Sequence, residues 1–194
     1  RSAESEHFVV FWAKGLTKQS NGNLTGGASS SVCNVNTLLN NAEKIWDVYV
    51  GELGFLVPGK SSTDKVKIEM FVVNQSEWRA DGSGTDGTVW TAGSGTTKTA
   101  KSQKVGLFHC NAWAASDNVT VAHEIGHIVL QFSEHQDQYR DPQAQEIYAD
   151  DVACKIGLAE QMLSTLNKLE RSGLFSDSIS RFGMRKLMIE TQYL

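Results

Sequence analysis

The sequence has little proline and little cysteine: Pro58 and Pro142, then Cys33, Cys110 and Cys154. No Cys-x-x-Cys pair occurs, which excludes a thiolate zinc cluster and a thioredoxin-type motif. Three cysteines permit at most one internal disulfide, so three buried free thiols and one bridge with a spare thiol both stand open. No run of 18 apolar residues is present, so no membrane span is expected. No basic stripe is present either. The chain carries 18 Lys and Arg against 22 Asp and Glu, for a net charge of −4, which argues against nucleic acid as a main partner. Internal repeats and domain linkers are also missing.

What is there is an ordinary globular composition. Of 194 residues, 40% are hydrophobic and 21% charged, enough to bury one core without a disulfide lattice. The chain starts at Arg1 rather than Met and shows no signal segment, as expected of a processed form or a part of something longer. Sequons at Asn23, Asn74 and Asn118 and loops rich in Gly, Ser, Thr and Asn lean towards a secreted, extracellular protein. Nothing in the sequence addresses oligomeric state.

Apolar periodicity predicts a buried strand over 8–12, a long loop over 14–33 and an amphipathic helix over 36–53 stopped by Gly54. A turn is predicted over 59–64 and a half-buried strand over 65–73, with Val66, Ile68, Met70 and Val72 on one face. Residues 80–103 read as a long loop with a short hairpin near Val89–Trp90. A strand follows over 105–109. A helix then opens near Ser116, Asp117 or Asn118 and runs to about Phe132. Asp141-Pro142 reads as the start of a helix continuing to Gly173, and a last helix covers 179–189. The order is that of an α+β protein.

The stretch with chemistry is His123-Glu124-Ile125-Gly126-His127, H-E-x-x-H on a predicted helix. Residues four apart share a helical face, so two imidazoles there can reach one zinc ion at about 2.0–2.1 Å each. Glu124 points to a neighbouring angle, where it can take a proton from a zinc-bound water as general base without being a ligand. A catalytic zinc wants a third protein ligand and one open position. Candidates are Glu134, His135, Asp137, Asp141 and Glu146. The metzincin pattern would need a glycine at 130 and a histidine at 133, where this chain has Leu130 and Ser133. Glu146 is favoured: it lies on the next predicted helix, with eighteen residues between it and His127, room for one helix to end and another to begin.

Here the sequence resembles the gluzincin metallopeptidases, whose H-E-x-x-H is followed by a downstream E-x-x-x-D, often with alanine before the Asp. His123, Glu124, His127, Glu146, Ala149 and Asp150 match; the upstream half matches no recognised family. The resemblance implies that His123, His127 and Glu146 ligate Zn2+, that Glu124 is the general base, and that Asp150 receives a hydrogen bond from a ligand histidine. It implies one zincin-like catalytic domain over 1–194: a small twisted mixed sheet, backing helix and active-site helix over 1–132, then a helical lobe over 133–194 that supplies the third ligand. The helix 36–53 would back the sheet. The strand 105–109 would be its edge above the cleft, pairing with an extended peptide or protein substrate. The implied activity is a zinc peptidase, and an endopeptidase in the absence of an end-binding motif. Two alternatives share the motif: a zincin-fold binding or toxin-like module with little turnover, and a zinc hydrolase of a non-peptide amide.

An oxyanion donor is also needed. Tyr139, His135 and His109 are candidates, whereas Tyr148, two residues past Glu146, points away from the ion. Asp81–Gly87 lacks the register and closing Glu of a calcium loop. Trp90 could rim a cleft, Trp12 and Trp46 are expected in the core, and His7 and Asp151 are expected at the surface.

Overall fold

The computed structural model describes residues 1–26, 33–73, 93–98, 101–111, 114–133, 141–172 and 179–194. The predicted hairpin near Val89–Trp90, the Asp81–Gly87 stretch, Glu134, His135, Asp137 and Tyr139 lie outside them.

A five-stranded mixed sheet is built from β1 (Ser2–Glu4), β2 (Phe8–Trp12), β5 (Ile68–Val73), β6 (Gly93–Lys98) and β7 (Lys104–Asn111), in the order β1-β2-β5-β7-β6. A two-residue ladder, β3 (Thr17–Lys18) with β4 (Leu24–Thr25), interrupts the predicted 14–33 loop. The three central strands β2, β5 and β7 are parallel, and β1 and β6 pair antiparallel at the two edges. Phe8, Val10, Ile68, Met70, Val72, Phe108 and Cys110 are fully buried or nearly so. They fall on one face because side chains alternate along a strand.

Two helices cover that face. α1 (Val35–Trp46) is capped by Asn34 and runs on through a π-helical turn, Asp47–Glu52, to Gly54 at φ +66°, the predicted stop. Trp46 packs edge-on to Phe8 and stacks on His7, whose Nδ1 pairs with Glu43 at 2.7 Å. His7 is therefore half-buried, because its neighbour on α1 is a carboxylate. α2 (Asn118–Phe132) begins at Asp117, which accepts from the Val119 N–H. It lies on β7 where Gly106 has no side chain: a Cβ there would sit 2.6 Å from Ile128 Cγ2. The Tyr49 hydroxyl donates to the Ala122 carbonyl at 3.1 Å and ties α1 to α2.

The structure corrects two expectations. Gly93–Lys98 is a strand rather than loop, and it displaces 105–109 from the edge: β7 lies between β5 and β6. Gly-Ser-Gly-Thr-Thr-Lys carries no large apolar side chain, so it leaves no alternating pattern, yet backbone pairing needs none. The single helix predicted over 142–173 is two helices. α3 (Pro142–Ala153) and α4 (Ala159–Ser172) are separated by a π-helical turn with Gly157 at φ +87°, a left-handed conformation open to glycine. α5 (Ile179–Gln192) follows. One core unites these elements, from Phe8 and Tyr49 to Leu166 and Ile189. No helix among the described residues is long and apolar enough to cross a membrane.

α2 and α3 meet at Gly126. A Cβ there would lie 2.7 Å from Val152 Cγ2 and 3.3 Å from Ala149 Cα. Gly126→Val should therefore destabilise the fold by about 1–3 kcal/mol through overpacking. Gly126→Ala should cost less, because alanine recovers about 0.8–1 kcal/mol of helix propensity. Denaturant midpoints measure both; an unchanged midpoint for Gly126→Val would contradict the packing. Cys33, Cys110 and Cys154 are free and buried, and burial pushes the Cys33 and Cys154 thiols up to about 12. Thiol titration should find none reactive in the native chain and three after unfolding; one would mean a bridge.

Candidate metal centre

The buried side of α2, with Val121, Ala122, Ile125, Ile128 and Val129, turns His123 and His127 towards α3. The sequence cues for α3 hold: Asp141 caps it, accepting from the Ala144 N–H at 3.0 Å, and Pro142 stands in its first turn. Asp141 is exposed at that cap and belongs to no donor cluster. Ala149 has no accessible surface. Its small side chain and the absent one of Gly126 let the helices approach until Glu146 faces both histidines and Asp150, one turn on, faces His123.

His123 Nε2 lies 3.0 Å from His127 Nε2 and 3.4 Å from Glu146 Oε2, and His127 Nε2 lies 3.3 Å from Glu146 Oε1. Among the described residues, these three form the group that could hold a metal ion. Ligands about 2.05 Å from a tetrahedral zinc stand about 3.3 Å from one another; the two ring nitrogens are close to that spacing, and the Glu146 carboxylate meets it with a different oxygen for each ring. The chemistry of the set agrees. Two ring nitrogens 3.0 Å apart have room for one proton between them, and the carboxylate beside them is an acceptor. A single cation satisfies all three.

The outer nitrogen of His123 is fixed as well. Its Nδ1 donates to Asp150 Oδ1 at 2.9 Å, leaving Nε2 to face the donor cluster. Asp150 is wholly buried yet ionised: burial opposes the charge, but hydrogen bonds from Arg185 and His123 hold its carboxyl below the ordinary value. Glu146 is likewise held well below the carboxylate range, against burial, by the two histidines and Arg185. Burial disfavours the His123 imidazolium, but Asp150 and Glu146 outweigh it and raise the ring to about 10.

Glu124, next to His123 on α2, is 6% exposed. His109, on β7, is buried, and burial lowers its pKa while the Glu124 charge opposes this. Tyr148 packs on Phe55, with ring centroids 5.8 Å apart. Asp151 is not a bare surface residue: it pairs with Lys155 at 2.8 Å and accepts from the Tyr193 hydroxyl.

Arg185 is the residue that sequence reasoning missed. It donates to Asp150 through Nε at 2.5 Å and Nη2 at 2.8 Å, and pairs with Glu146 Oε2 through Nη1 at 2.9 Å. A signal existed. Phe182, Arg185 and Ile189 fall at helical spacing and are all buried in α5, so the arginine occupies a place on an apolar stripe. A charged group there needs a buried partner.

The model of a family of unknown function, DUF6055, matches residues 1–152. That span includes His123, Glu124, His127, Glu146 and Asp150 and stops short of Arg185. No curated protein and no solved structure matches the chain. The match covers well over half of the sequence, so the chain belongs to the DUF6055 family.

Proposed function

We propose that this protein is a zinc-dependent peptidase that cleaves peptide bonds internally, with Glu124 as general base. The observation that carries the reading is the convergence of His123 Nε2 and His127 Nε2, 3.0 Å apart, on the Glu146 carboxylate, whose Oε2 lies 3.4 Å from the first ring and Oε1 3.3 Å from the second, separations close to those between ligands of a tetrahedral ion. The gluzincin-like order of these residues along the chain supports it further. The mixed sheet lying on α2 beside α1 is compatible with the arrangement that the resemblance implies.

Zinc, when bound, supplies a Lewis acid that polarises the scissile carbonyl and brings a water towards neutral acidity. His123, His127 and Glu146 hold it. Asp150 keeps the His123 ring in the tautomer that leaves Nε2 without a proton. The Glu124 carboxylate takes a proton from the attacking water and returns it to the leaving amine nitrogen. Among the described residues β6, not β7, is the edge of the sheet beside α2. Its backbone groups can bind an extended peptide with little demand on side chains.

Digestion of a mixed peptide library by purified zinc-loaded protein tests the reading. Internal cleavage that stops with a chelator and returns with zinc is expected. Glu124→Gln should lower the rate by about 10²–10⁴-fold, the usual worth of a positioned general base, and should keep its zinc. No cleavage by a zinc-loaded, folded wild type would overturn the peptidase reading and favour a binding module. Full activity in Glu124→Gln would remove the general-base role.

A further inference from the structure

Glu146 divides its carboxylate among three partners. Oε1 faces His127 Nε2 at 3.3 Å, while Oε2 lies 3.4 Å from His123 Nε2 and 2.9 Å from Arg185 Nη1. The same guanidinium places Nε and Nη2 on the two oxygens of Asp150. One planar fork thus holds two carboxylates on consecutive turns of α3, a geometry that a lysine ammonium cannot copy. The fork is itself fixed. Its Cζ lies 5.9 Å from the centre of the Phe182 ring. Elsewhere on α5, Lys186 pairs with Glu170 at 2.6 Å. The Tyr193 hydroxyl donates to the Asp151 main-chain carbonyl at 3.3 Å. The Arg185 side chain is only 11% exposed, so its donors serve the protein rather than a ligand in solvent.

We propose that Arg185 is a positioning residue for the metal centre: by engaging Oε2 it makes Glu146 a one-oxygen ligand through Oε1, and by clamping Asp150 it fixes the His123 ring. The inference rests on the zinc reading of the site. A carboxylate released from Arg185 is free to offer both oxygens to the ion, raising its ligands from four, one of them water, to five. It follows that α5, beyond the stretch matched by the family model, completes the centre.

The test measures zinc affinity by competition with a chromophoric chelator, and the visible spectrum of the cobalt-substituted protein. Arg185→Met should weaken zinc binding by about 10–100-fold, the usual worth of a residue that orients ligands. The cobalt absorption should weaken as the ion moves from four to five ligands. Arg185→Lys should recover part of the affinity but keep the altered spectrum, since it restores the charge without the fork. Lys186→Met, which breaks the Glu170 contact on the same helix, should keep wild-type affinity and spectrum. Should Arg185→Met not fold, Arg185→Lys decides. Wild-type affinity and spectrum in an Arg185 variant, whatever its melting temperature, would overturn the proposal while leaving the zinc reading intact. A folded wild type that binds no zinc would overturn both.

Discussion

Two helices can bring their backbones together only where side chains are absent or small, and the contact of Gly126 with Ala149 and Val152 is that place here. The rest of the site depends on it. His123 and His127 flank Gly126 on α2, and Glu146 and Asp150 flank Ala149 on α3. A donor set useful to a metal must hold its geometry to within about 0.5 Å, and a single methyl group at Gly126 would already require a shift of that order. Gly106 performs the same service on the other side of α2, seating it on β7. α2 is thus fixed between sheet and α3 by two missing side chains.

Such close packing gathers charge where water is scarce. Asp150 has no exposure, and the side chains of His123 and His127 are only 13% and 11% exposed. A buried carboxylate is costly unless it is paired and hydrogen-bonded. Asp150 meets that requirement through His123 on one side and Arg185 on the other. Glu146 is paired with Arg185 too and keeps one oxygen facing His127. The arginine balances one of the carboxylate charges, and a divalent cation at the donors would balance the others, including that of Glu124. Helices α2, α3 and α5 each bring a part of this balance, which makes the centre a property of the tertiary fold rather than of one motif.

The sequence made most of the donor set legible because helical spacing is local. Two histidines four apart and Glu146 four before Asp150 had to share faces once the helices existed, and Asp117 and Asp141-Pro142 marked where those helices begin. The apolar run Phe8–Trp12 and the alternation over 65–73 likewise exposed two central strands. What was not legible depends on distant partners. Gly93–Lys98 has no apolar alternation and is a strand because β7 offers it a backbone ladder. The break at Gly157 hides inside a continuing apolar pattern, since a left-handed glycine changes direction without changing composition. His7 gave no sign of Glu43 or Trp46. Arg185 lies thirty-five residues from Asp150, and only its place on the Phe182–Ile189 stripe hinted that it is buried.

The central claim is that His123, His127 and Glu146 bind one zinc ion. X-ray absorption at the zinc edge of the purified, stoichiometrically loaded protein tests it most directly. The account predicts a shell of nitrogen and oxygen at about 2.0–2.1 Å, with two imidazoles resolved in the outer scattering and no sulfur near 2.3 Å. Failure to load one zinc per chain, or a shell containing sulfur, would contradict it.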